Sequence, residues 1–289
     1  VNSQTSTEVQ THEFRLSGEF SSATRFTVGA FYRELELQER NDFTYPGSAV
    51  IGFAPNFPLP DSWNSDAGPF PEGVIFRNDG RRIDEQSGLF GELTFELSDQ
   101  WAVIAGARRY DIEVDFDGSA NSSFYNMGAE EDAQEGGTNI TQLNGRRPAE
   151  ASGSIFKLTA NWKPSSDSLF YATLSEGFRT GLINRPGGAV ADLPGGGTYT
   201  VPVELDTDDV MNYELGWKTD LAGGQLRFNG SLFLVEIEKL QTTIFDPSIT
   251  NLFFSDNAAD AEVTGLEADF IYAPDALQGL TVSGAFSLL

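Results

Sequence analysis

A chain of 289 residues with 23 Phe, 30 Gly and 39% hydrophobic residues has the material for one large domain or two smaller ones. Its densest apolar run, Trp101 to Ala107, falls far short of the roughly 18 residues that a membrane-crossing helix needs, so a helical membrane protein is excluded. A net charge of −25 excludes nucleic acid as a partner, because phosphate binding requires a basic face, and the absence of cysteine leaves the compartment undecided.

Period-two alternation recurs along the chain, with no convincing stretch at the helical period. Taken in order, it predicts about ten strands: 11–20, 24–37, 85–97, 101–116, 151–163, 168–180, 208–219, 225–238, 260–273 and 280–289. In the fourth, Tyr110, Ile112, Val114 and Phe116 alternate with Asp111, Glu113, Asp115 and Asp117, four acids that cannot share a dry core. In the fifth, Phe156, Leu158, Ala160 and Trp162 alternate with Lys157, Thr159 and Asn161. In the seventh, Met211, Tyr213, Leu215 and Trp217 oppose Asn212, Glu214 and Lys218. The last places Leu280, Val282, Gly284, Phe286 and Leu288 on one face.

The connections carry as much information as the strands. Short turns such as Ser98-Asp99-Gln100 and Pro164-Ser165-Ser166-Asp167 alternate with long segments, about 38–84, 117–150, 181–207 and 239–259, rich in Gly, Pro, Asn and Asp. Outer-membrane barrels have short periplasmic turns and long outer loops, and their tilted strands run to about 9–11 residues across the bilayer. Aromatics near strand ends, including Trp101, Trp162, Phe170, Tyr171, Trp217 and Tyr272, fit an interfacial girdle. The expected fold is therefore all-β: an antiparallel transmembrane β-barrel segment with short periplasmic turns and long extracellular loops. Because the first connection is a short turn, both ends of the chain are expected on the extracellular side, which makes residues 1–289 a partial barrel domain truncated at both ends.

Several segments resemble the strands of TonB-dependent outer-membrane receptors. They are SLFYATLSEGFRTGLIN (168–184), NYELGWKTDL (212–221), LRFNGSLFLVEIEKLQ (226–241), AEVTGLEADF (261–270) and, upstream, GLFGELTFELSDQWAVIAGARRYD (88–111). The resemblance covers nearly all predicted strands, weakest in the first two. Nothing in the sequence corresponds to the family's plug domain or TonB box, and a whole receptor has about 22 strands around a plugged lumen. It implies location in the bacterial outer membrane, contact with its lipid, and partnership with the TonB complex through the plug. It also implies active uptake of a scarce nutrient, foremost a ferric siderophore, with no enzyme chemistry and no cofactor. A passive porin, an outer-membrane protease and a soluble acidic β-sandwich are the competing readings.

Arg179 and Asn184, where a strand meets an outer loop, are the candidates to face substrate. Glu214 and Lys218 share one predicted lumen face and Glu267 and Asp269 another, as a polar wall against plug or neighbouring strands. Arg109 is in phase with Asp111 and Glu113. No catalytic residue is marked. His12 is the only histidine, so a multi-His metal site is unavailable. The acids Asp61, Asp66, Asp79, Glu130, Glu131, Asp132 and Glu135 lack calcium-loop spacing, and Gly187-Gly188 and Gly195-Gly196-Gly197 lack a phosphate cradle's context.

Overall fold

The structure is a computed structural model. It describes residues 1–47, 73–122, 137–139, 148–184, 188, 190–193, 195–246 and 253–289. All the acidic loop positions named above except Asp79 lie outside the described residues, as does Gly187.

Among the described residues one antiparallel sheet dominates. In chain order its main strands are β1 (Asn2–Ser21), β2 (Thr24–Thr44), β3 (Val74–Glu96) and β4 (Trp101–Ser122). A short β5 (Gly137–Asn139) pairs only with β4 and precedes β6 (Ala149–Ser165) and β7 (Ser168–Arg179). A small separate hairpin follows, β8 (Val190–Asp192) with β9 (Thr198–Thr200). The sheet then resumes with β10 (Asp208–Leu221), β11 (Leu226–Phe245), β12 (Phe253–Tyr272) and β13 (Val282–Leu288). Each strand lies beside its sequence neighbour in the order β1-β2-β3-β4-β6-β7-β10-β11-β12-β13, a meander throughout.

Each of the ten expected strands is present, but many run further toward the long-loop end. β1 begins at Asn2 rather than near residue 11, and β12 at Phe253 rather than near 260. The β1 extension is almost wholly polar on both faces from Asn2 to Gln10, and that of β12 opens with Phe253 and Phe254 side by side, so no alternation announces either. The extension also revises the connection lengths. Residues 246–252 join β11 to β12, a shorter link than residues 273–281 between β12 and β13. Short and long connections therefore do not alternate to the end.

The expected barrel segment requires a larger correction: the sheet is open and does not close into a barrel. Among the described residues β1 pairs only with β2, and β13 only with β12. A barrel needs its two edge strands to meet and bond, and here no ladder joins β1 to β13. One row of partners can be followed across the whole sheet: Ser21, Thr24, Phe95, Val103, Ala160, Ala172, Leu215, Leu232, Leu266 and Leu288. Its two ends are the last residues of the two edge strands.

That row lies within an apolar belt on one face. Leu158, Leu174, Leu215 and Leu232 are all exposed there, Leu215 at 60%. Such a surface is unfavourable in water and suits contact with lipid. On the turn side Trp101, Trp162, Phe170 and Trp217 occupy consecutive positions of one row. Trp101 stacks on Trp162 at 5.9 Å between centroids, and Phe170 lies tilted against Trp162 at 5.5 Å. Tyr171 instead belongs to the other face, where its ring covers Gly216.

On the loop side the belt ends at the row Glu176, Met211, Glu236 and Glu262. From Leu221 to Met211 the strand rises about 33 Å at roughly 3.3 Å per residue. At a tilt of about 40° that is about 25 Å of height, the thickness of an outer-membrane apolar band.

Beyond that row the polarity of the faces inverts. In β4, Val103, Ala105 and Ala107 give way to Arg109, Asp111, Glu113 and Asp115 on the same face, while the alternate positions change from Gly106 and Arg108 to buried Tyr110, Ile112 and Val114. In β11, Phe228, Leu232 and Leu234 give way to Glu236 and Glu238. The strand has left the apolar medium there, so its outer positions are wet. Its inner positions instead pack with Ala149 and Ile183 into the main buried cluster. The Arg109–Asp111 pair lies at 3.6 Å with both side chains more than half exposed, a contact of little energetic weight.

Candidate functional site

Two groups of side chains merit description: the polar face of the belt, and the loop end of β7, β10, β11 and β12.

On the polar face the register aligns Lys218, Asn229, Asp269 and Ala285 in one row, and Gly216, Ser231, Glu267 and Ser287 in the next. The structure thus brings Lys218, Glu267 and Asp269 to one open cavity of about 590 Å³, which Tyr171 also lines. Asn229 donates to Asp269 at 3.1 Å and Ser287 to Glu267 at 3.3 Å. Glu214 accepts the Tyr171 hydroxyl at 2.5 Å. Gly216 permits this arrangement, since a Cβ there would fall 2.2 Å from the Tyr171 ring.

At the loop end, Arg179 closes β7 and faces Asp208, the first residue of β10, across the ladder. Its guanidinium lies 2.6 Å from the Asp208 carboxylate and donates to the Gln241 carbonyl at 3.0 Å. Asp208 is buried, and its second oxygen accepts the Gln241 backbone N–H at 3.1 Å. The Gln241 side chain donates to the carbonyls of Thr180 and Asp206. Asn257 repeats the pattern by accepting from the Asp206 N–H and donating to the Asp206 and Lys239 carbonyls. Lys239 has φ of 53° at an irregularity in the β11–β12 register, where Asp260 takes its N–H. Such bulges commonly re-aim a strand end.

Asn184 completes the clamp. It is 3% exposed. Its amide donates to the carbonyls of Pro202 and Ser255, at 2.8 and 2.7 Å, and accepts the Ser255 N–H at 2.8 Å. Further out, Tyr199 of β9 donates to Asp256 and stacks on Phe254, beside the buried Val201. The segment between β7 and β10 is therefore fastened to the ends of β11 and β12 at three places. The sequence marks Arg179 and Asn184 as candidates to face substrate; the structure places both in this network of internal bonds, together with Asp208, Gln241, Asn257 and the Tyr199–Asp256 pair, which the sequence does not mark. Their partners lie up to 62 residues away, and no local pattern signals such pairing.

Burial, with the Asp256 hydrogen bond and charge adding to it, pushes the Tyr199 phenol up to about 12. A raised pKa in the folded state means stability is fully present below pH 10 and is lost as pH climbs toward 12. Loop protection in hydrogen exchange should accordingly fall across that window. Tyr199→Phe should remove that part of the pH dependence, leaving the responses of the other tyrosines.

A family model described as TonB dependent receptor-like, beta-barrel, matches residues 2–288. The chain belongs to that family. It is a family of outer-membrane transport receptors. No curated protein matches by sequence. Among solved structures, the ferric yersiniabactin uptake receptor FyuA from Yersinia pestis is similar at a TM-score of 0.62 and 12% identity, over 99% of this chain and 36% of that one. The FrpB iron transporter from Neisseria meningitidis gives 0.57 and 15%, over 98% and 36%. The copper transporter OprC gives 0.56 and 14%, over 99% and 37%. At these identities the likeness shows the fold alone. The chain spans little more than a third of the length of the structures it matches.

Proposed function

We propose that this chain, as a partial domain spanning residues 1–289, forms part of the wall of an outer-membrane receptor for TonB-dependent uptake of a scarce nutrient, foremost a ferric siderophore. The observation that carries this reading is the family match over residues 2–288. The similarity to FyuA, a ferric yersiniabactin uptake receptor, and to FrpB, an iron transporter, supports iron as the nutrient. In this reading the belt contacts outer-membrane lipid, and the ligand meets Arg179 and the loop that Asn184 holds in shape. Glu214, Lys218, Glu267 and Asp269 line the polar wall along which a plug would sit. The TonB complex would act through that plug.

The passive porin is the reading to be separated from it. Deleting the whole gene in its native host should impair growth on one or more ferric siderophores as sole iron source while leaving growth on abundant ferrous iron intact. Impaired uptake that persists without TonB would support a porin instead.

A further inference from the structure

Three neighbouring rows on the polar face of β1 to β4 invert the charge balance of a chain whose net charge is −25. The register sets Arg15, Gly29, Phe90 and Arg108 in one row, Glu13, Phe31, Gly88 and Tyr110 in the next, and Thr11, Arg33, Gln86 and Ile112 in a third. Their one carboxylate, Glu13, bonds to Arg15. Arg33 and Arg108 pair with no carboxylate among the described residues. The Arg108 guanidinium lies 5.1 Å from the centre of the Phe31 ring, and its Nε passes over Gly88, where a Cβ would stand 3.4 Å from it. Its Nε and Nη2 are both covered and have no hydrogen-bond partner. Covered donors of a charged group left unmet are rare and unfavourable in folded proteins. The same two nitrogens form the edge by which Arg81 grips Glu36, both bonds at 2.7 Å, and Arg227 grips Asp220 at 2.9 and 3.5 Å. The two oxygens of a carboxylate match that edge in spacing and plane.

We propose that this patch binds a small anion carrying two or more carboxylates. One carboxylate takes the Nε–Nη2 edge of Arg108, which a turn about the last bonds of the side chain lifts away from Gly88. Arg108 already leans over Phe31, which stands two residues from Arg33 on the same face of β2, so the two guanidinium groups approach one guest. On the other flank Arg15 lies 5.6 Å from the centre of the Phe90 ring. Glu13 neutralises Arg15 in part, so the charge left to attract an anion rests on Arg33 and Arg108. The rings of Phe31 and Phe90 hold the guanidinium planes they face and leave the N–H edges to the guest. The site stands on this face of the sheet alone, so it can fail while the uptake reading holds.

Titration calorimetry of the full chain in a zwitterionic detergent at about 0.15 M salt, with tricarballylate as the probe, tests the proposal. One saturable site is expected, with Kd on the order of 0.1–1 mM. Arg108→Lys keeps the charge but loses the planar fork, and should weaken binding about tenfold. Arg33→Gln should weaken it about threefold, as expected of a more exposed charge. Arg109→Gln, one residue along β4 and on the opposite face, should leave it unchanged. Acetate, with a single carboxylate, should bind at least about tenfold more weakly than the tricarboxylate. Circular dichroism of each variant checks that the sheet is retained. Absence of saturable binding would overturn the proposal. So would full binding in both Arg108→Lys and Arg33→Gln, an equal loss in Arg109→Gln, or acetate binding as tightly as tricarballylate.

Discussion

Replacing Asn184 with alanine is expected to detach the segment between β7 and β10 from the ends of β11 and β12. The substitution removes three hydrogen bonds at once and leaves the Ser255 N–H and the carbonyls of Pro202 and Ser255 without their partner. A polar group left unmet in a buried setting costs about 1–3 kcal/mol, and water entering the vacated space recovers part of that, so a net loss of about 3 kcal/mol is reasonable. The effect should be local, because the β-ladders of the belt do not depend on this amide. Hydrogen exchange should therefore show lost protection at Ser255 and Leu205, whose N–H groups bond to Asn184 and to the Leu182 carbonyl. The β10–β11 ladder near Leu215 should stay protected. Removing the Arg179 side chain tests another part of the clamp, since it leaves the buried Asp208 carboxylate with the Gln241 N–H but without its cation. Equal protection at Ser255 in wild type and Asn184→Ala would mean that the clamp is held by Asn257, Gln241 and Tyr199 without it.

The clamp also shows where sequence reading runs out. Inside the belt, lipid on one side and polar surroundings on the other force strict alternation, so segments such as Phe156 to Trp162 and Met211 to Lys218 disclose both strand and face. Beyond the belt β1 is almost wholly polar on both faces and β12 opens with two adjacent phenylalanines, so the true starts of these two strands carry no alternation. The inversion in β4 could be read in principle, because Asp111, Glu113 and Asp115 occupy the phase that Ala105 and Ala107 began. The acids identify the wet face; the change of medium along a single strand is the part that needs the registers of its neighbours. Closure was not legible at all. It depends on whether the first strand pairs with the last, a contact between residues at opposite ends of the chain that no local pattern encodes. The polar-wall residues fared differently from the clamp, since the same alternation that marks the belt also assigns Lys218, Glu267 and Asp269 to the opposite face.

The belt's position makes a sharp expectation for charge. Leu215 lies near the middle of the band between Leu221 and Met211, in a row with Leu232 and Leu266, and is 60% exposed on the lipid-facing side. Arginine there should destabilise the chain in lipid by about 2–4 kcal/mol, because no water or counter-charge is near enough to solvate the guanidinium without distorting the bilayer. The same substitution at Met211 should cost about 0–1 kcal/mol. Met211 pairs with both Glu176 and Glu236 across the ladder, so the new cation there meets two carboxylates at the edge of the band. Reversible denaturant unfolding in lipid vesicles of each variant measures the difference directly. In detergent micelles, which deform easily around a charge, the two substitutions should differ much less, and this contrast separates lipid depth from local packing. Were Leu215→Arg and Met211→Arg to cost the same in vesicles, the loop-side edge of the belt would lie elsewhere than the Glu176–Met211–Glu236–Glu262 row.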